Sequence, residues 1–114
     1  MTIQEIAVLL NATPVTAHAL LNREIELGFA SDLMSDVLTL QNHNVALITG
    51  LANIQVVRTA EMSDIRCILL VRNKKATPDM IRLAEENNIV ILEFAGSLFR
   101  AVATLAEAGM KPVF

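Results

Sequence analysis

The chain is 114 residues long, enough for one domain with a proper core and little to spare. Its formal charge of −3, with a pI near 5.3, argues against a general nucleic-acid binder, which would present a basic face. Trp and Tyr are absent, which removes most of the stacking platform that single-strand binders use. More than half the residues are hydrophobic and mean hydropathy is +0.50, yet no apolar run approaches the roughly 18–20 residues that span a bilayer. Gln4 and Glu5 stand where a signal peptide would be basic, so a cytoplasmic location is expected. The surplus of apolar residues points to self-association, most simply a homodimer. Cys67 is the only cysteine and lies in the apolar run Cys67–Val71, where it reads as a small core residue.

Taken in order, Thr2 and Glu5 have the spacing of a capping box and open a first helix whose apolar face is Ile3, Ile6, Val8, Leu9 and Leu10. Asn11 and Pro14 end it, Thr13–Thr16 reads as a short edge strand, and His18–Leu21 as a loop or single turn. Arg23–Ala30 alternates, with Ile25, Leu27 and Phe29 on one side and Glu24, Glu26 and Gly28 on the other, the period of a half-buried strand. Ser31 or Asp32 then caps a short helix through Leu38, with Leu33, Met34 and Val37 facing the core.

The second half is more regular. Strands are predicted at Val45–Thr49, around Cys67–Val71 and around Val90–Phe94. Helices follow each, opened by Asn53, by Thr77-Pro78-Asp79 and by Ser97, the last stopped by Gly109. This β-α-β-α-β-α order predicts an α/β domain with a mostly parallel central sheet. No linker or repeat divides the chain.

The residues that could carry chemistry fall into two groups. Asp32 and Asp36, four apart beside Ser31 and Ser35, would share a helical face and could face a hard cation, but capping and the helix dipole account for the same pattern. Gly50 follows a buried strand and precedes a helix, the place for a phosphate-cradling turn, without either phosphate-loop motif around it. Arg72 and Lys74 lie past a strand's carboxyl end, where α/β proteins tend to bind ligands. His18 and His43 belong to no metal-ligand pattern, and no serine sits in a nucleophile elbow. The chain therefore contains no catalytic set, no metal-ligand set and no cofactor motif, and reads as a non-enzymatic module.

The stretch Asn22–Gly28 (NREIELG) resembles the name-giving motif of the DRTGG-domain family. Arg23 and Gly28 match, Asn22 replaces the leading Asp, and the Thr and first Gly are missing. The segment Ala30–Leu38 (ASDLMSDVL) and the opening TIQEIAVLLNA are closer to the family pattern. The resemblance, to a stand-alone DRTGG domain, implies a three-layer α/β/α fold like the N-terminal domains of HPr kinases and muramoyl-peptide ligases. It also implies an accessory, regulatory role without established catalytic residues. Arg23, Gly28, Ser31, Asp32, Ser35 and Asp36 then form a candidate contact surface for a protein partner or small anionic ligand. Gly50, Arg72 and Lys74 are secondary anion-site candidates. Two functions remain open: a regulatory or protein-interaction module, homodimeric, and a sensor of a nucleotide or other anion.

Overall fold

Four parallel strands carry the molecule, and every one of them is apolar on both sides. The computed structural model describes residues 1–114. Strands β2 (Leu27–Ala30), β3 (Val45–Thr49), β4 (Cys67–Leu70) and β5 (Val90–Glu93) lie side by side in chain order. Two short strands complete the sheet: β1 (Thr13–Pro14) runs antiparallel to β5 at one edge, and β6 (Lys111–Pro112) parallel to β2 at the other. The register is fixed by pairs such as Gly28 with Ala46, Ile48 with Leu69 and Leu69 with Leu92.

Successive side chains of each strand go to opposite faces, so the sheet divides the core in two. Ala46, Ile48, Cys67, Leu69, Val90 and Leu92 pack with α1 (Ile3–Leu10) and α5 (Leu98–Glu107). Val45, Leu47, Ile68, Leu70 and Ile91 pack with α2 (Met34–Val37), α3 (Ile54–Met62) and α4 (Pro78–Glu86). Adjacent parallel strands joined by right-handed crossovers place their helices on one side, which accounts for α2, α3 and α4 sharing a face. Helix α5 leads from β5 back across the sheet to the edge strand β6 and must cross the other face. The result is the three-layer α/β/α fold with a mostly parallel central sheet.

The local signals act as expected where they are local. Thr2 Oγ1 accepts from Glu5 N–H while Glu5 Oε1 accepts from Thr2 N–H, closing the capping box on α1. Asn53, Thr77 and Ser97 cap α3, α4 and α5. Edge strand β1 is fastened by Thr16, fully buried, whose hydroxyl donates to Ile89 O at 2.6 Å and accepts from Ile91 N–H at 2.8 Å. His18–Leu20 is a single 3-10 turn.

Three expectations need correction. The predicted strand Arg23–Ala30 begins only at Leu27, because Glu26 and Leu27 N–H both donate to Asn44 O. That bulge inserts one residue and reverses the alternation, so Ile25 packs with α1 while Leu27 and Phe29 pack on the other face. Helix α2 is four residues long and is preceded by Leu33 without a side-chain cap; Leu33 itself is exposed. Val8 and Leu9, expected in the core, lie on the outward side of α1. No helix is long and apolar enough to cross a membrane.

Candidate functional site

The carboxyl ends of β2, β3 and β4 bring together residues far apart in sequence. Asp32, just past β2, does not cap α2. Its Oδ1 accepts from the Thr49 hydroxyl at 2.7 Å and from Gly50 N–H at 2.9 Å. The same Thr49 hydroxyl, buried at the end of β3, accepts from Leu51 N–H at 3.2 Å. Asp32 thus ties the loop after β2 to the loop after β3. The Thr49 hydroxyl, then Gly50 N–H, hold the Asp32 carboxyl below the usual carboxylate range, and Arg72 adds a smaller pull in the same direction. Because Asp32 lies outside α2, it does not share a helical face with Asp36, and the expected carboxylate pair is not formed.

Arg72 reaches this point through unusual backbone. Arg72 and Asn73 are both left-handed, at φ 62° and 58°. Non-glycine residues in that region carry a cost of order 1 kcal/mol each. The loop is held by Arg72 N–H donating to Gly96 O at 2.7 Å and Asn73 N–H donating to Phe94 O at 3.1 Å. A Cβ at Gly50 would stand 3.3 Å from Arg72 Cδ and 3.5 Å from its Nη1, so the absent side chain lets the arginine lie against the turn. The Arg72 side chain makes no hydrogen bond or ion pair within the chain, and neither does that of Lys74. Lys75, beside them, pairs with Glu93 at 3.8 Å.

The other candidates disperse. Ser31 Oγ accepts from Leu33 N–H at 3.0 Å in a local turn, and Ser35 and Asp36 are exposed on α2. Arg23 sits at the opposite end of the sheet, where its Nη1 donates to Asn88 O at 3.0 Å. Four residue steps along β3 separate Val45 beside Arg23 from Thr49 beside Asp32, about 13 Å. Arg23 and Asp32 therefore belong to different surfaces.

Gly28 opens on a third surface. Beside it runs a groove of about 400 Å³ between β2, α5 and the segment Met110–Phe114, nine of whose twelve lining residues are hydrophobic. A Cβ at Gly28 would stand 2.9 Å from Met110 Sδ. Phe114 packs edge-on against Phe29, ring centroids 6.1 Å apart, and is itself 88 % exposed. The groove continues onto the outward side of α5, where Phe99 is 84 % exposed and Val102 38 %. Sequence reasoning found Gly28 but missed this wall. Its signal is the near-absence of charge in α5, which has only Arg100 and Glu107. Cys67 is fully buried and burial pushes its thiol up to about 12, which leaves it unreactive.

No protein-family model matches the chain, and no characterised protein matches it in sequence. Solved structures of similar fold are found, and one of them is the CBS and DRTGG domains of the regulatory region of Clostridium perfringens pyrophosphatase, complexed with its activator diadenosine tetraphosphate. The match has a TM-score of 0.74 at 12 % identity and covers 94 % of this chain but only 46 % of that one. The chain has the fold found in that regulatory region, and spans less than half its length.

Replacing Asp32 with Ala should cost about 1 kcal/mol at neutral pH, since the tie is a charge-assisted pair of bonds at an exposed position. A carboxyl held below its unfolded value stabilises the fold above that value and loses the contribution as pH falls through its folded value. Urea unfolding should therefore show the full difference between wild type and D32A at pH 7, shrinking below about pH 3.9. A difference independent of pH would contradict this role.

Proposed function

We propose that the chain is a non-enzymatic regulatory module, a DRTGG-like domain that acts as a homodimer through the groove beside Gly28 and the outward face of α5. The observation that carries the reading is the composition of that face. Phe99, Val102, Ala103 and Ala106 are exposed on a helix whose only charges are Arg100 near one end and Glu107 at the other. Arg100 and Glu107 are seven residues apart, two helical turns, and so share one side. Two copies of α5 packed antiparallel about a two-fold axis would cover the apolar residues and set Arg100 against Glu107 of the partner subunit at both ends. The sheet edges favour such a face-on contact over strand addition. Each edge strand is two residues long and ends in proline, Pro14 or Pro112, which cannot donate to an added strand.

Sedimentation at micromolar concentration should give a dimer for the wild-type chain. Arg100→Glu should raise the dimer dissociation constant about tenfold, and adding Glu107→Arg should restore it. A monomeric wild type, or a double variant as weak as the single one, would refute the arrangement.

A second reading, sensing of a nucleotide or other small anion, is favoured by Arg72. Its strained loop, its free guanidinium and its position against Gly50 at the carboxyl end of the sheet suit an anion site, with Lys74 close in sequence. The activator of the pyrophosphatase regulatory region is of that ligand class. A thermal-shift panel of nucleotides with and without Mg²⁺ separates the two readings. A ligand at 100 times its Kd should add about 2.7 kcal/mol of stability, and Arg72→Ala should abolish the shift. No shift across the panel would leave the interaction module alone.

A further inference from the structure

A polar cleft of about 360 Å³ opens at the amino ends of β2, β3 and β4, remote from the groove and from Arg72. Five of its seven lining residues are polar: Arg23, His43, Asn44, Asp64 and Arg66. Two guanidinium groups thus share one cleft with a single carboxylate. Asp64 is engaged by Arg66, whose Nε and Nη2 both lie 3.2 Å from its Oδ1, while His43 Nδ1 stands 3.8 Å from Oδ2. Glu61 and Glu86 line the adjoining depression with Arg66 but not this cleft. Arg23 spends one Nη1 bond on Asn88 O, and Arg66 leaves Nη1 unused, so donors remain on both arginines. Partial burial first, and then the like charge of Arg66, disfavour the Arg23 cation. The clustering of cationic side chains is therefore left short of negative charge, in a chain that is acidic overall.

We propose that this cleft binds a phosphate group, held between Arg23 and Arg66 with His43 as a third donor. Guanidinium forks match the oxygens of phosphate and lose less hydration than an ammonium would. The space admits a phosphate ion or a small phosphomonoester rather than a dinucleotide. The site is independent of the groove and of the loops around Arg72.

The test is an amide-resonance NMR titration of the full chain with inorganic phosphate at constant pH and ionic strength. Saturable shifts are expected at Arg23, His43, Asn44 and Arg66, half complete by about 5 mM. Arg66→Gln, at an exposed position, and Arg23→Lys should each weaken binding about tenfold or more, whereas Arg72→Ala should leave it unchanged. A parallel titration with adenosine 5′-monophosphate identifies the source: tighter binding assigns an esterified phosphate, equal binding the free ion. The proposal is overturned by no saturable shift up to about 20 mM phosphate. It is overturned equally if Arg66→Gln binds as wild type, or if the shifts fall at Gly50–Asn53 and vanish in Arg72→Ala.

Discussion

Strands apolar on both faces must be covered on both faces, and this chain covers them unequally. Three helices, α2, α3 and α4, lie on one side of the sheet, and only α1 and α5 on the other. Parallel sheets tolerate little exposed strand surface, because their strands carry no polar side for water. With two helices, the second layer leaves the β2 edge open beside Gly28, where the segment Met110–Phe114 forms one wall of a groove and does not close it. The helices of that layer are themselves apolar outward, at Val8, Leu9, Phe99 and Val102. Part of the hydrophobic excess visible in the composition thus lies on this layer, while Leu33, Leu38 and Met62 are exposed on the other.

The opposite tendency governs the ends of the strands. At the carboxyl ends, Asp32 accepts through Oδ1 the two bonds that join two loops, which makes it a structural tie. Beside it, the side chains of Arg72 and Lys74 stand without a hydrogen bond or ion pair, on a loop whose left-handed backbone is held by the loop after β5. At the amino ends, Arg23 and Arg66 face a cleft with one carboxylate between them. Exposed apolar side chains around the groove and cationic side chains at the strand ends are therefore separated spatially. The fold is shared with a pyrophosphatase regulatory region, and at 12 % identity that likeness speaks for the fold alone.

Much of the fold was legible because its signals are local. Thr2 with Glu5, Asn53, Thr77-Pro78 and Ser97 each act within one helical turn, and each caps the helix it announces. The uninterrupted apolar runs of β3, β4 and β5 announce burial on both faces. The errors arose where a distant backbone decided. Asn44 O collects two N–H groups and bulges the chain before Leu27, which no periodicity in Arg23–Ala30 could reveal. Thr49 and Gly50 draw Asp32 away from the helix it seemed placed to cap. Strand β6 went unseen because two residues with a proline carry no strand pattern; the partner strand β2 makes it one. Arg23 and Asp32 seemed neighbours in sequence, and the strand between them puts them at opposite ends of the sheet.

The central claim is that the open layer formed by α5 and the Gly28 groove is covered by a second copy of the chain. Isotope-filtered NMR on a mixture of labelled and unlabelled protein tests it most directly, because only contacts between copies give a signal. The account predicts cross-peaks between copies from the Phe99 ring and the Val102 methyls to residues of α5. Their absence at concentrations where the chain self-associates, or cross-peaks confined to the α3 and α4 face, would contradict it.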